Sequence, residues 1–352
     1  MPSNQDTSVV FHGWATTGKS DLEPFSYHPR PLSSDDIEIE ITHVGICGSD
    51  LHYIGGLVPM AVSQCIPGHE IVGTVAASGS NSGHKVGDIV GVGVMAHCCK
   101  SCRECDSSND QYCSKAVYTY GGVYEDGKVS HGGYADRVRI RGDFAIKVPS
   151  EISPLEAPPL FCAGITTYTP LRNAKAGPGK RVGIVGIGGL GHLAIQWARA
   201  MGCDEVVAIS TSDSKKEEAK NLGATKFINS KKPEEMKESA GSLDIVLCTT
   251  STVGNTQDMV AMLSLVAKRG VFYSLSASDE EFIKIPSVGL LFSGLSISGS
   301  IIGSKEDIKE MLDFATKTNV RPWVEKFSLE DPKTAVKHLR EGRPRYRIVM
   351  EA

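Results

Sequence analysis

The sequence predicts an α/β protein with a β-rich domain and a doubly wound parallel-sheet domain. Its 352 residues allow for about two domains. From about residue 36 to 146, short β-type runs are broken by glycines and polar turns. From about residue 179, apolar strands alternate with glycine turns and amphipathic helices. Hydrophobic residues make up 41% and charged residues 22%, which is typical of a folded globular chain.

Period-two alternation marks the β-rich part. Ile37-Glu38-Ile39-Glu40-Ile41 alternates apolar and acidic residues, and further strands are predicted at 71–77 and 88–94. Runs of this kind, separated by turns, favour an antiparallel sheet.

The second half of the chain has the alternation of a parallel sheet. Strands are predicted at 181–185, 205–209, 244–248 and 270–275, and helices at 192–201 and 215–222. Strand–helix repetition of this kind predicts a doubly wound sheet. A helix at 305–318 and a closing strand at 346–350 follow.

The uncharged stretch from Ile285 to Ser304 is a poor match to a membrane helix. Ten of its twenty residues are Ser or Gly, whereas a spanning helix is mostly apolar. We predict two buried strands joined by a turn.

Charge and cysteine content point to small-molecule chemistry in the cytoplasm. The net charge is −4, and without a long basic run there is no electrostatic reason to expect nucleic acid or membrane as a partner. No secretory signal peptide is readable over residues 1–21. The ten cysteines are then expected to be thiols or metal ligands rather than disulfides.

A glycine motif follows the strand at 181–185. Gly186, Gly188 and Gly191 fit G-x-G-x-x-G, with Gly189 and Leu190 inside the motif. The first glycine allows a tight turn, the second a close approach of a pyrophosphate, and the third close helix–strand packing. The strand–turn–helix context predicts a dinucleotide site rather than an ordinary turn.

The residues that follow the next predicted strand favour NADP over NAD as the coenzyme. An NAD enzyme usually has Asp or Glu there to bind the ribose, but this chain has Ser210-Thr211-Ser212 with Lys215 close behind. Hydroxyls and an ammonium suit a 2′-phosphate. The alternative is that Asp213 reaches the ribose and the lysines are solvated.

Four cysteines form a local cluster. Cys99, Cys102, Cys105 and Cys113 have a spacing that can close a tetrahedral zinc site. With all four positions filled by protein, such a zinc would be structural. Cys98 adjoins the cluster, and we interpret it as a spare thiol.

A third set is dispersed along the chain. Cys47, the pair His69-Glu70 and Cys162 would each, taken alone, be read as buried or hydrogen-bonded residues. Beside a nicotinamide site, however, two cysteines and a histidine form a known catalytic zinc arrangement with one open position.

In their order along the chain, these motifs resemble those of the zinc-dependent medium-chain dehydrogenases/reductases, specifically the cinnamyl alcohol dehydrogenase branch. The matching segments are 45–52, 68–70, the four-cysteine lobe, 132–135, 162–166 and 186–191, with 86–93, 124–127 and 345–347 favouring the branch. The resemblance implies a β-rich GroES-like catalytic domain over 1–157 and 303–352 and a Rossmann domain over 158–302.

The resemblance also implies residue roles. Cys47, His69 and Cys162 would hold the catalytic zinc, with Glu70 able to occupy the fourth position. Asp50 would hold His69 by its other ring nitrogen, and Ser49 would pass a proton to His52 through the cofactor ribose. Thr166 is expected to contact the cofactor, as are Ser210, Thr211, Ser212 and Lys215.

The implied activity is NADP(H)-dependent reduction of aromatic or medium-chain aldehydes such as cinnamaldehyde, using two zinc ions per chain. A polyol dehydrogenase is the main alternative, but those enzymes typically lack the cysteine at 162 and have an acidic residue after the second cofactor strand. A non-catalytic nucleotide sensor is the alternative of another class.

Residues 295–300 could form an edge strand that pairs with a second copy, which predicts a homodimer.

Overall fold

A computed structural model describes residues 9–19, 21–250, 256–276 and 285–352. The strands are β1 (Phe11–Ala15), β2 (Glu23–Tyr27), β3 (Asp36–Ile46), β4 (Glu70–Ser78), β5 (Ile89–Val92), β6 (Met95–His97), β7 (Val117–Tyr118), β8 (Arg137–Arg141), β9 (Ala145–Lys147), β10 (Arg181–Val185), β11 (Glu205–Ser210), β12 (Lys226–Asn229), β13 (Leu243–Cys248), β14 (Val266–Ser274), β15 (Ser296–Gly299), β16 (Val324–Ser328) and β17 (Arg347–Glu351). The α-helices are α1 (Gly48–Ile54), α2 (Arg103–Asp106), α3 (Ala163–Asn173), α4 (Gly191–Ala200), α5 (Lys216–Asn221), α6 (Pro233–Glu238), α7 (Thr256–Leu263), α8 (Ser287–Ser293), α9 (Lys305–Thr318) and α10 (Pro332–Arg340).

The chain divides into two compact units. The first comprises Met1–Cys162, Gly303–Lys317 and Arg321–Ala352, and the second comprises Ala163–Ile302 and Thr318–Val320. The first unit is therefore discontinuous in sequence.

An antiparallel sheet dominates the first unit, as predicted. Its strand order is β16-β17-β3-β4-β5-β9, with β8 also paired to β3, and only β16 and β17 run parallel to each other. The three isoleucines of the alternating segment on β3 are buried. Glu38, between them, is only 5% exposed because Arg137 and Arg139 of β8 bind its carboxylate at 2.8 and 2.9 Å.

The register of this sheet brings distant parts of the sequence together. Gly45 on β3 lies opposite Glu70 on β4 and opposite Val349 on β17. The end of β3, the start of β4 and the start of β17 therefore meet at one place, and β3 leads directly into α1.

The second unit contains the predicted parallel sheet. Its order is β12-β11-β10-β13-β14-β15, and every adjacent pair is parallel. Val182, Ile184 and Leu247 are fully buried, as expected for central strands covered on both faces. The glycine motif links β10 to α4.

The prediction of two buried strands over residues 285–304 is wrong in its first half. Residues 287–293 form the helix α8, which ends at Gly294 in the left-handed conformation, with φ +60°. Leu291 and Phe292 are 77% and 80% exposed, so this part is not buried. A short uncharged run does not distinguish strand from helix by periodicity. The second half does form a strand, β15, but its residues are exposed or half-buried instead of buried.

No helix among the described residues has the length and apolar character needed to cross a membrane.

Candidate metal centres and dinucleotide site

Four side chains that could bind a metal meet in the first unit. One ligand atom from each of Cys47, His69, Glu70 and Cys162 lies within 4.8 Å of the others. The sulfurs of Cys47 and Cys162 are 3.8 Å apart, and His69 Nε2 is 3.2 Å from Cys162 Sγ. The structure thus brings together residues separated by up to 115 positions in the sequence.

Each of the four occupies the end of a structural element. Cys47 is the N-cap of α1, Glu70 opens β4 with His69 just before it, and Cys162 follows a short 3₁₀ turn at Pro158–Phe161. Side chains at the ends of elements can converge on one point, because the backbone changes direction there.

The buried carboxylate of Asp50 organises two of these residues. It is 0% exposed, accepts the backbone N–H of Cys47 at 2.8 Å, and lies 3.4 Å from Nδ1 of His69. Nε2 of His69 is consequently turned toward the sulfurs. A carboxylate bound to the second nitrogen in this way fixes the orientation of the imidazole.

The groups around Cys47 favour its thiolate form. The hydrogen bond from Cys162 lowers the pKa of Cys47 well below its usual value, with His69 acting in the same direction. Burial is the largest single influence on His69 and lowers its pKa, but Asp50 and Cys47 together outweigh burial and raise the pKa of His69 well above its usual value. The thiolate is the form that binds metal.

Glu70 has an ion-pair partner that the sequence did not identify. Arg347, 6% exposed, donates from Nη2 to Glu70 Oε1 and to the carbonyl of Ile46 at 3.0 Å. Arg347 is the first residue of β17, and its side chain is buried instead of lying on the surface. Only the pairing of β17 with β3, which is not readable from local sequence, brings it here.

The other carboxylate oxygen of Glu70, Oε2, has no hydrogen bond. Oε2 is buried and unpartnered, and a Cβ at Gly45 would come within 2.0 Å of it. Burial raises the pKa of Glu70 to about 7, although Arg347 acts in the opposite direction. A glycine at 45 is therefore what leaves room for this oxygen.

A second group of four ligand atoms is formed by Cys99, Cys102, Cys105 and Cys113. Their sulfur–sulfur distances include 3.6 Å for Cys102–Cys105 and 3.5 Å for Cys99–Cys113. The backbone N–H of Ser101 lowers the pKa of Cys99 to about 6. The structure leaves Cys98 outside this group.

Ser49 and His52 lie on α1, three residues apart, so they share one side of the helix. Both are exposed. Ser49 Oγ is 3.7 Å from Cys47 Sγ, which places this hydroxyl at the edge of the first cluster.

The glycine motif of the second unit has the geometry of an anion-binding turn. Gly186 has φ +89°, and a Cβ on Gly191 would come within 1.9 Å of the carbonyl oxygen of Gly186. Gly188 has nothing within 4 Å of where a side chain would begin, so its backbone is open to a ligand. Gly189 and Leu190 complete the turn into α4, against which α3 with Thr166 packs.

The region after β11 is consistent with the predicted coenzyme preference. Lys215 donates from Nζ to the carbonyl of Ile187 in the glycine turn at 2.6 Å. The carboxylate of Asp213 instead binds Asn229 at 3.0 Å and Lys232 at 3.0 Å. Ser210, Thr211 and Ser212 lie between the strand and these residues, and the latter two are exposed.

Comparison with known proteins matches both halves of the chain. A family model described as alcohol dehydrogenase GroES-like domain matches residues 33–150, and one described as zinc-binding dehydrogenase matches residues 189–317. A probable mannitol dehydrogenase of Mesembryanthemum crystallinum is 37% identical over 99% of this chain and 96% of its own length.

Two solved structures are also similar. Cinnamyl alcohol dehydrogenase SbCAD4 from Sorghum bicolor has a TM-score of 0.92 at 34% identity, covering 97% of this chain and 98% of that one. The enzyme CAD from Helicobacter pylori, solved in complex with NADP(H), has a TM-score of 0.88 at 30% identity, with coverages of 97% and 98%.

Proposed function

Because the chain belongs to the zinc-containing medium-chain dehydrogenases, in the cinnamyl alcohol dehydrogenase branch, we propose that it interconverts aldehydes and alcohols with NADP(H). The observation that carries this proposal is the convergence of Cys47, His69 and Cys162 with Glu70 on one point. The substrate class is aromatic or medium-chain aldehydes of the cinnamaldehyde type.

The donor set fits a catalytic zinc. Cys47, His69 and Cys162 supply two thiolates and an imidazole, and catalytic zinc sites have three protein ligands with one further position. The unpartnered Oε2 of Glu70 could fill that position, while Arg347 holds the opposite oxygen. When bound, zinc supplies a Lewis acid for the carbonyl oxygen.

Residues of this chain would manage the proton. Ser49 lies at the edge of the cluster, where its hydroxyl can donate to the substrate oxygen during aldehyde reduction. His52, exposed on the same helix, would then return a proton to Ser49 from solvent. Asp50 keeps His69 oriented.

The four-cysteine group fits a structural zinc. All four tetrahedral positions would be occupied by Cys99, Cys102, Cys105 and Cys113, which leaves no room for substrate. The lobe around them has few apolar contacts to fix it, because α2 has no buried residue and the buried residues of the following turn, Asp110 and Gln111, are polar.

NADP(H) would bind in the second unit. The glycine motif over 186–191 would receive the pyrophosphate, with Thr166 in contact with the cofactor, and Ser210, Thr211, Ser212 and Lys215 would bind the 2′-phosphate. The Helicobacter pylori enzyme is described with NADP(H), which supports this choice. The carboxylate of Asp213 already binds Asn229 and Lys232, which argues against Asp213 as the acceptor for the ribose hydroxyls. The domain limits predicted from the sequence are 1–157 with 303–352 for catalysis and 158–302 for the cofactor, whereas the compact units divide after Cys162.

A polyol dehydrogenase remains the second candidate, since a probable mannitol dehydrogenase is among the relatives. The presence of Cys162 and the absence of an acidic residue directly after β11 favour the aldehyde reductase. We place the enzyme in the cytoplasm, because none of the ten cysteines forms a disulfide, as in a reducing compartment.

The test is NADPH consumption by zinc-loaded protein with cinnamaldehyde and, separately, with fructose. We expect turnover of cinnamaldehyde, and a rate with NADPH at least about tenfold above that with NADH, since a single charge-assisted hydrogen bond to the 2′-phosphate can contribute this factor. Turnover of fructose alone would favour the polyol enzyme. No oxidation with any aldehyde, despite two bound zinc ions, would favour a non-catalytic sensor.

We further propose a homodimer that forms through the second unit. β15 is at the edge of its sheet, and next to it α8 exposes Val288, Leu291 and Phe292. Exposed apolar groups beside a sheet edge are typical of an interface. Light scattering should give twice the chain mass, and replacing both Leu291 and Phe292 by Asp should give the single-chain mass. A wild-type monomer at micromolar concentration would contradict the proposal.

A further inference from the structure

The carboxylate of Asp50 joins the two chain segments that carry Cys47 and His69. Oδ2 accepts the N–H of Cys47 at 2.8 Å. Oδ1 accepts the N–H of Gly68 at 3.3 Å and lies 3.4 Å from Nδ1 of His69. A small rotation of this carboxylate would therefore displace both segments.

One side chain outside the predicted site holds that carboxylate. The hydroxyl of Tyr134 donates to Oδ2 of Asp50 at 3.3 Å, and Tyr134 is fully buried. Its ring also lies against the segment preceding His69, since a Cβ on Gly68 would come within 2.5 Å of Tyr134 Cδ1.

The backbone around Tyr134 is fastened to the same segment. Gly133 donates to the carbonyl of Gly68 at 2.8 Å, and Tyr134 donates to that of Pro67 at 3.0 Å. The Tyr134 hydroxyl is thus anchored on the His69 side of the site while it binds a carboxylate that belongs to α1.

We propose that Tyr134 is a positioning residue of the metal centre, acting through Asp50. Its hydroxyl fixes the carboxylate in the one orientation that holds the Cys47 backbone and the His69 ring together. The inference rests on the proposed function, because it assumes that zinc binds at Cys47, His69 and Cys162. Outer groups that orient a ligand typically change metal affinity by about 10- to 100-fold.

The test is the rate at which Tyr134→Phe releases zinc to excess chelator, followed with a colorimetric zinc indicator. We expect one zinc per chain to leave about five- to tenfold faster than in the wild type, as loss of one hydrogen bond predicts, and the other at the wild-type rate. Tyr168→Phe is the matched control, because Tyr168 is also buried but lies in the second unit, and it should release zinc like the wild type.

A double-mutant cycle shows whether the hydroxyl acts through the carboxylate. In the Asp50→Asn background, adding Tyr134→Phe should cause no further acceleration, because the group that it orients is already altered. Fully additive effects of the two substitutions would overturn the proposal.

Three other results would also count against it. Suppose that Tyr134→Phe releases zinc as slowly as the wild type, while the wild type itself holds two zinc ions and is active. That result would overturn this inference and leave the proposed function intact. Equal acceleration of both zinc ions would show general loosening instead of positioning. Fewer than two zinc ions in the wild type would defeat the proposed function, and this inference with it.

Discussion

Cys162→Ala should lower kcat/KM for aldehyde reduction by about 1000-fold or more while the protein remains folded. Removing this sulfur leaves Cys47 and His69 as the remaining non-carboxylate ligands, so the zinc that activates the carbonyl is lost or misplaced. Lewis-acid activation lowers the barrier by several kcal/mol, and a loss of about 4 kcal/mol corresponds to a roughly 1000-fold lower rate. Zinc analysis should find one ion per chain instead of two, with a melting temperature close to that of the wild type.

Cys203→Ala is the control for this variant. Cys203 is buried like Cys162, but it lies in the second unit and outside both metal-binding groups. It should keep wild-type activity and both zinc ions. If Cys162→Ala kept more than about a tenth of the activity, against the barrier change expected for a lost zinc ligand, the proposed catalytic centre would be wrong.

Cys102→Ala should have the opposite signature, a large loss of stability. The lobe between Cys99 and Cys113 has no apolar core of its own, since its helix α2 buries nothing, so a closed metal site is what would order it. Binding energy at such a site is folding energy. We expect a melting temperature roughly 5–10 °C lower, which corresponds to the loss of a few kcal/mol, and one zinc ion per chain.

Cys98→Ala distinguishes the effect of losing a metal ligand from the effect of losing a buried cysteine. Cys98 is buried next to Cys99 but stands outside the group of four, so its replacement should leave both zinc ions in place and cost much less stability. Equal melting losses in Cys102→Ala and Cys162→Ala would contradict the division into a structural and a catalytic centre.

The local motifs could be predicted from sequence because their chemistry is contained in short segments. The spacing of Cys99 to Cys113 lies within one loop, and the glycine motif lies within one strand–turn–helix unit. Such a signal needs no knowledge of the fold. The strand β17 and helix α9 were likewise predicted almost to the residue, since their patterns are long and periodic.

The dispersed cluster could be predicted only through the resemblance to a family. Nothing local joins Cys47, His69 and Cys162, each of which would be an ordinary buried residue by itself. Of the residues that contact them, Asp50 is predicted through the same resemblance, but the ion pair of Arg347 and the hydrogen bond of Tyr134 are not. Arg347 and Tyr134 reach the site through strand register and loop pairing, and register is set by the complete sheet.

The helix α8 was missed for a different reason. Its sequence is uncharged, so burial was expected, but Leu291 and Phe292 point away from the described part of the chain. A surface that a second copy would cover has the composition of a core, and sequence alone does not distinguish the two.

The position of Arg347 in the sequence also decides when its buried ion pair with Glu70 can form. The three cysteine and histidine ligands and Glu70 all belong to the first stretch of the discontinuous unit, before residue 163. The arginine that pairs with Glu70 follows the residues of the second unit in the sequence, so it is synthesised after them. The buried ion pair between Arg347 and Glu70 can therefore form only after residues 163–346 have been made, so the first unit cannot reach its final packing from its first stretch alone.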